Sequence, residues 1–497
     1  MHRALFVSEI LAEIFINLNH LPTSLETLGW TQSVTRKSLA SLALTCTTFH
    51  ELAMDLLWAN MLGIRPLLGC VTRLHPLIYD PTSKYSWSQY AEPLAEHEFH
   101  QFMRHSARVR NITISANNYF HLLTALPIET CVFPGLLSLS WMVQCTNKGD
   151  LRFFLPPTLR RCYVSELPLD LKYIGAHCAD VEDFTILEDS DRTQLSETIR
   201  SCKKLRRLRC PPFDSAAWMH LSTIPTLVEV KILTARMNHH PLDNLNFATF
   251  LNLKTLSLCG IEVAAAVAIV QHFKFPSLKE FEMHVRVLPW AEAEQFFCAL
   301  SQCKASQTLE HINISSRNRI QDHTSDSSTA VRQFLCFKQL RTLRLSTHRS
   351  IYLDNDLLFE AMSSWPHIHS LSLVNWHLYP TTLTFRGLFA ALRLCPNLQD
   401  LQVSIDARNI DIEPEAESFQ HTSLKNLIVG SCELEAVDVE AVARIVFCML
   451  PAVDQVMCAS GSVPQLWHKV NRHLEFLRRS KPFSAPARCI AGAPDLT

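Results

Sequence analysis

Apolar and polar positions alternate along this chain in two rhythms, one short and one helical. The short one reads Leu-x-x-Leu-x-Leu with conservative replacements, often with Pro or Cys just ahead of it. It recurs fourteen times, as in "FPGLLSLSW", "CKKLRRLRC", "FLNLKTLSL", "FKQLRTLRL" and "CPNLQDLQV". The first apolar positions of the copies are Val109, Leu136, Leu159, Val181, Leu205, Leu227, Leu253, Leu278, Leu309, Leu340, Ile368, Leu398, Leu424 and Val453, spaced 22 to 31 residues apart. In each copy the second and third apolar residues alternate with polar ones, the pattern of a short strand with one buried face.

Helical patterns fill the gaps. "VAAAVAIVQHF" follows Leu258, and "WAEAEQFFCALSQC", "DLLFEAMSSW", "TFRGLFAALRLC" and "VEAVARIVFCML" precede later copies. Each stops at Pro, Cys-Pro or a polar gap, as a helix terminator should. The early units, before Leu253, are the shortest and least helical. One strand plus one helix cannot bury its apolar face alone, whereas stacked units can, each buried Leu adding about 1.5–3 kcal/mol before entropy is counted. The expectation is an α/β solenoid with parallel strands inside and helices outside. A dinucleotide-binding sheet would need a glycine-rich turn after a strand, and none is present. Over about residues 105 to 460 the chain resembles the leucine-rich repeat family, although the Asn usual after the strand is mostly missing.

The first sixty residues keep the helical rhythm alone. Three short helices are predicted: "SEILAEIFINL" with Ser8 as N-cap, "SLASLALTC" with Ser38 as N-cap, and "TFHELAMDLLW". Their apolar faces are larger than three short helices can cover among themselves. Phe6, Glu9, Ile10, Leu11, Ile14, Phe15, Leu18, Leu39, Leu42, Cys46, Phe49, Leu57 and Trp58 fall on the positions of a family pattern, and this stretch resembles an F-box, similar to F-box proteins of fungi. Two departures are Val7, where the family usually has Pro, and the longer linker over 19–37. The resemblance implies that Phe6, Ile10, Leu11, Ile14, Phe15, Leu18, Leu39, Leu42, Phe49, Leu57 and Trp58 bind the Skp-type adaptor of a cullin–RING ubiquitin ligase, while the repeats hold a protein substrate. The alternative is a repeat scaffold without a ligase role, its N-terminal helices serving as a cap.

The expected organisation is therefore a helical unit over 1–71, a linker over 72–104, the solenoid over 105–478 and a disordered tail over 479–497. Composition narrows the function further. Net charge is −1, so no global field draws nucleic acid or acidic membrane. Hydrophobic residues make up 47% and charged ones 19%, enough for a large core. The 17 cysteines form no Cys-x-x-Cys pair, and Cys162, Cys210 and Cys458 fall where Leu or Val would serve, which fits buried thiols in a reducing, intracellular setting. No run of 18 apolar residues suggests a membrane span, and Glu9 and Glu13 interrupt what might pass for a signal peptide.

Strand residues alternating with buried ones should line the concave surface of a solenoid. They include Arg207, Arg209, Glu229, Lys231, Glu280, Glu282, His311, Arg344 and Asp400, with patches of both signs, which suits a protein partner better than nucleic acid. "KKLRRLR" at 203–209 looks like a nuclear localisation run, but Leu205 and Leu208 in it are repeat positions. "HEFH" at 97–100 lacks metalloprotease spacing, and "NHH" at 238–240 has no ligand partners nearby. No hydrolase elbow or phosphate loop occurs, so the chain is expected to be neither an enzyme nor dependent on a cofactor or metal.

Overall fold

The computed structural model describes residues 10, 11, 13, 14, 28–79, 91–116, 119–125, 131–143, 150–165, 171–187, 191–233, 246–317, 330–347, 351, 353–375, 382–413, 417–430, 438–458 and 464–480. The chain forms two compact units, Met1–Leu253 and Lys254–Thr497. Each is a stack of strand-and-helix repeats of the leucine-rich type, with one parallel sheet.

In the first unit the strands of the parallel sheet are β1 (Asn60–Leu62), β2 (Asn111–Ile114), β3 (Ser138–Trp141), β4 (Arg161–Val164), β5 (Asp183–Ile186), β6 (Arg207–Cys210) and β7 (Glu229–Leu233). Each pairs in parallel with the next. In the second unit they are β8 (Thr255–Cys259), β9 (Glu280–Val285), β10 (His311–Ser316), β11 (Thr342–Thr347), β12 (Ser370–Asn375), β13 (Asp400–Val403), β14 (Asn426–Val429) and β15 (Val456–Cys458), again paired in sequence order. Pairing never slips, because a one-residue shift would turn every apolar side chain to the wrong face. Leu256, Phe281, Ile312, Leu343, Leu371, Leu401, Leu427 and Val456 thus stand in one buried row.

All fourteen first-apolar positions are buried, none more than 1% exposed. The strand is entered through a tight turn. The residue three places ahead is buried as well, as at Phe133, Cys178, Trp365 and Cys395, and its carbonyl accepts from the N–H of the first apolar residue at 3.1 Å in each of these four. The five helices expected in the later repeats are present as Val263–His272, Trp290–Gln302, Asn355–Ser364, Phe385–Leu392 and Val439–Met449. Three more, Lys172–His177, Arg192–Ser201 and Ser215–Thr223, lie in the early repeats, which also use short 3-10 turns such as Phe120–Leu123 and Asp150–Phe154. Asp191, Asp214, Asp354 and Thr384 cap their helices by accepting backbone N–H groups.

Three boundaries differ from the sequence expectation. The second N-terminal helix runs Leu28–Ala43, so Ser38 lies in its interior instead of capping it. No Pro interrupts "LGWTQSVTRK", and its one Gly sits in the first turn, so the helix propagates through residues assigned to the linker. The sheet begins inside the expected helical unit, at β1, whose Asn60 carbonyl side chain accepts from Asn111 at 2.6 Å. The expected linker holds helices His75–Tyr79 and Glu96–Met103, the latter burying Phe102. The expected tail beyond residue 480 lies outside the described residues, as does "NHH" at 238–240. Among the described residues no helix is long and apolar enough to cross a membrane.

Candidate functional site

Two surfaces carry the candidate residues. The first is the N-terminal helical module. Helices Leu28–Ala43 and Thr47–Ala59 pack around Ala43 and Ala53, and Leu11 inserts between them, 1% exposed. Leu42, Phe49, Leu52, Met54 and Leu56 pack partly against this core, and Leu39 is buried. Ile10 and Ile14, one helical turn apart, face outward at 42% and 41% exposure, and Leu44 between the two longer helices is 87% exposed. Leu57 is half-buried. Phe6, Phe15 and Leu18 lie outside the described residues.

Trp58 goes elsewhere. Its ring stacks on His105 at 4.6 Å, so it faces its own chain. Arg108 fastens the same helix to the first repeat through ion pairs with Glu51, at 2.5 Å, and with Asp55. Burial, with Arg104 and Arg108 close by, holds the His105 imidazole below its usual range, and the two rings lie nearly parallel, 9° apart.

The second surface is the polar face of each sheet. In the first unit it is a set of ion-paired rungs. Arg207 contacts Asp183 through two hydrogen bonds, at 2.8 and 2.6 Å, and Arg209 and Lys231 converge on Glu229 at 2.9 and 3.4 Å. The basic patch expected at Arg207 is therefore neutralised, because the parallel register sets an acid on each neighbouring strand. Leu205 and Leu208 of "KKLRRLR" are fully buried. In the second unit Glu280 accepts from Thr255 at 3.2 Å, Asp400 accepts from Asn426 at 2.6 Å, and Arg344 is exposed. His311 pairs in register with Glu280 on one side and Thr342 on the other.

Glu282 sits in a tighter cluster. Its Oε2 accepts from Ser257 at 2.8 Å, and its Oε1 meets His284 Nε2 at 2.6 Å and Asn313 Nδ2 at 3.4 Å. The other ring nitrogen of His284 meets Ser315 Oγ. The Cys259 Sγ lies 3.4 Å from Ser257 Oγ, and the donor atoms of Cys259, Glu282 and His284 all lie within 4.8 Å of one another. Among the candidates from sequence only Glu282 belongs to this cluster. Continuing the alternation Glu280, Glu282, His284, and aligning β8 with β9, would have exposed the rest.

The "HEFH" helix holds no ligand cluster. Glu98 receives Arg73 Nε at 2.6 Å and Nη2 at 2.9 Å, and reaches back to the Ala95 N–H at 3.0 Å.

No model of a known protein family matches the sequence, and no curated protein does. Among solved structures, the crystal structure of the Rad7 and Elc1 complex in yeast aligns with TM-score 0.36 and 13% identity, covering 89% of this chain and 96% of that one. Likeness of that degree fixes neither partner nor activity.

Proposed function

We propose that this protein is a substrate receptor of a Skp–cullin–F-box ubiquitin ligase. Its N-terminal helices dock on the Skp-type adaptor, through it on the cullin, and the polar sheet faces hold a protein substrate. One observation carries the reading. Leu11 is seated in the module's own core while Ile10 and Ile14 on the same helix stand exposed, so the helix has a spare apolar face. Apolar helical anchors of that kind fill grooves on partner proteins. Transfer of ubiquitin would then follow from proximity on the assembly, with no chemistry on this chain.

The second reading, a repeat scaffold whose helices only cap the stack, draws on Trp58 against His105 and Arg108 against Glu51 and Asp55. Co-purification with the adaptor separates the two. The double variant Ile10→Asp, Ile14→Asp spares Leu11, so the module should keep its helical circular dichroism while adaptor recovery falls at least about tenfold, the loss of a central apolar anchor. Equal recovery with wild type leaves the scaffold reading.

A further inference from the structure

We propose that Cys259, Glu282 and His284 form a binding site for a borderline transition-metal ion, zinc foremost, on the polar face of the second unit's sheet. This goes beyond the ligase reading and does not rest on it.

The donor set selects the metal. One thiol, one imidazole and one carboxylate suit zinc, whereas magnesium and calcium prefer oxygen donors alone. A thiolate and a carboxylate together neutralise the ion's two charges, the thiol proton leaving to solvent. Zinc bonds of about 2.0–2.3 Å at tetrahedral angles put neighbouring donors roughly 3.3–3.6 Å apart. Here they span from 2.6 Å, between Glu282 and His284, to at most 4.8 Å. Rotation of the Glu282 and His284 side chains, 37% and 29% exposed, would have to cover that difference. Three protein donors leave a fourth coordination position for water or for a group brought by a partner.

The positions are built by the backbone. Cys259 and His284 are register partners on adjacent strands, and Glu282 points to the same face two residues before His284. Directly after Cys259 the chain turns at Gly260, with φ +76°, a conformation glycine adopts without a Cβ clash. Its N–H donates to the His284 carbonyl at 2.6 Å, which pins the end of one strand to the other. Outer groups then orient the donors. Ser315 engages Nδ1 of His284 and leaves Nε2 toward the cluster. Ser257, itself buried, holds one oxygen of Glu282. Metal-binding imidazoles are commonly steadied in this way through their second nitrogen.

Cobalt(II), which reports thiolate bonding by a near-ultraviolet charge-transfer absorption, is the probe. The full chain is stripped with a chelator under reducing conditions and titrated with cobalt. Because the chain has 17 cysteines, Cys259→Ser and His284→Ala are titrated alongside. Wild type should take up one equivalent more than either variant, with a charge-transfer band absent from Cys259→Ser, and zinc should displace it. Ser315→Ala, which keeps all three donors, should weaken binding about 10–100-fold. Circular dichroism of the stripped proteins checks that each variant is folded. Identical uptake and spectra for wild type and folded variants overturn the proposal, as does a wild-type chain that takes up no cobalt.

Discussion

Glu98 illustrates how much a single residue owes to a partner distant in sequence. Within "HEFH" it could pass for part of a metal motif, yet its carboxylate is buried and held by Arg73, 25 residues away. Hydrogen bonding to the Arg73 guanidinium, with the Ala95 N–H adding to it against the cost of burial, lowers the Glu98 carboxyl to about 2. A carboxylate lowered on folding stabilises the fold fully above its unfolded value near 4.5, and that contribution is lost as pH falls through about 2. Urea midpoints measured at pH 5 and pH 3 should therefore fall further for wild type than for Glu98→Gln, which has no such proton to take up. Equal falls would mean that the pair is not formed. Nothing near Glu98 in the sequence announces Arg73, which sits in a stretch that reads as linker.

At the scale of elements, five of the later repeats were legible because each carries a helix that buries an apolar stripe. Leu357, Leu358, Ala361 and Met362 do so in one helix, and Phe385, Leu388, Phe389 and Leu392 in the next. What the stripe cannot convey is how closely neighbouring helices approach. Asn355 opens one helix and accepts from the Thr384 N–H of the next at 2.9 Å, and a Cβ at Gly387 would stand 1.9 Å from its Oδ1. Alanine favours helices over glycine by up to about 1 kcal/mol. Gly387→Ala should nonetheless destabilise by about 1–3 kcal/mol, since overpacking outweighs propensity there. Chemical denaturation measures it, and a stabilised variant would refute the close approach. The helix beginning at Leu28 was missed because its early turns carry no sustained apolar stripe that periodicity detects, so the sequence reading started it only at Ser38.

For the molecule as a whole, an open sheet must end somewhere, and an open edge invites pairing with another chain. In the second unit β15 is closed off by helix Pro464–Ser480. Trp467, Val470 and Leu474 bury its inner stripe, and the Asn471 side chain accepts from the Val456 N–H at 2.9 Å and donates to its carbonyl at 3.0 Å. Asn471→Leu keeps the apolar stripe but frees that edge, so light scattering should show concentration-dependent self-association absent from wild type. A strictly monomeric variant would show that the edge is guarded by something else.

Periodicity along the chain determined the repeat, its fourteen buried leading positions and the later helices, because these depend on residues within one turn or one strand of each other. Tertiary structure alone decided which charges cancel across strands, where Trp58 turns inward while Ile10 and Ile14 stay bare, and that Cys259, Glu282 and His284 converge. Those outcomes depend on register and packing between segments tens of residues apart, and short-range alternation carries no record of which neighbour a side chain will meet.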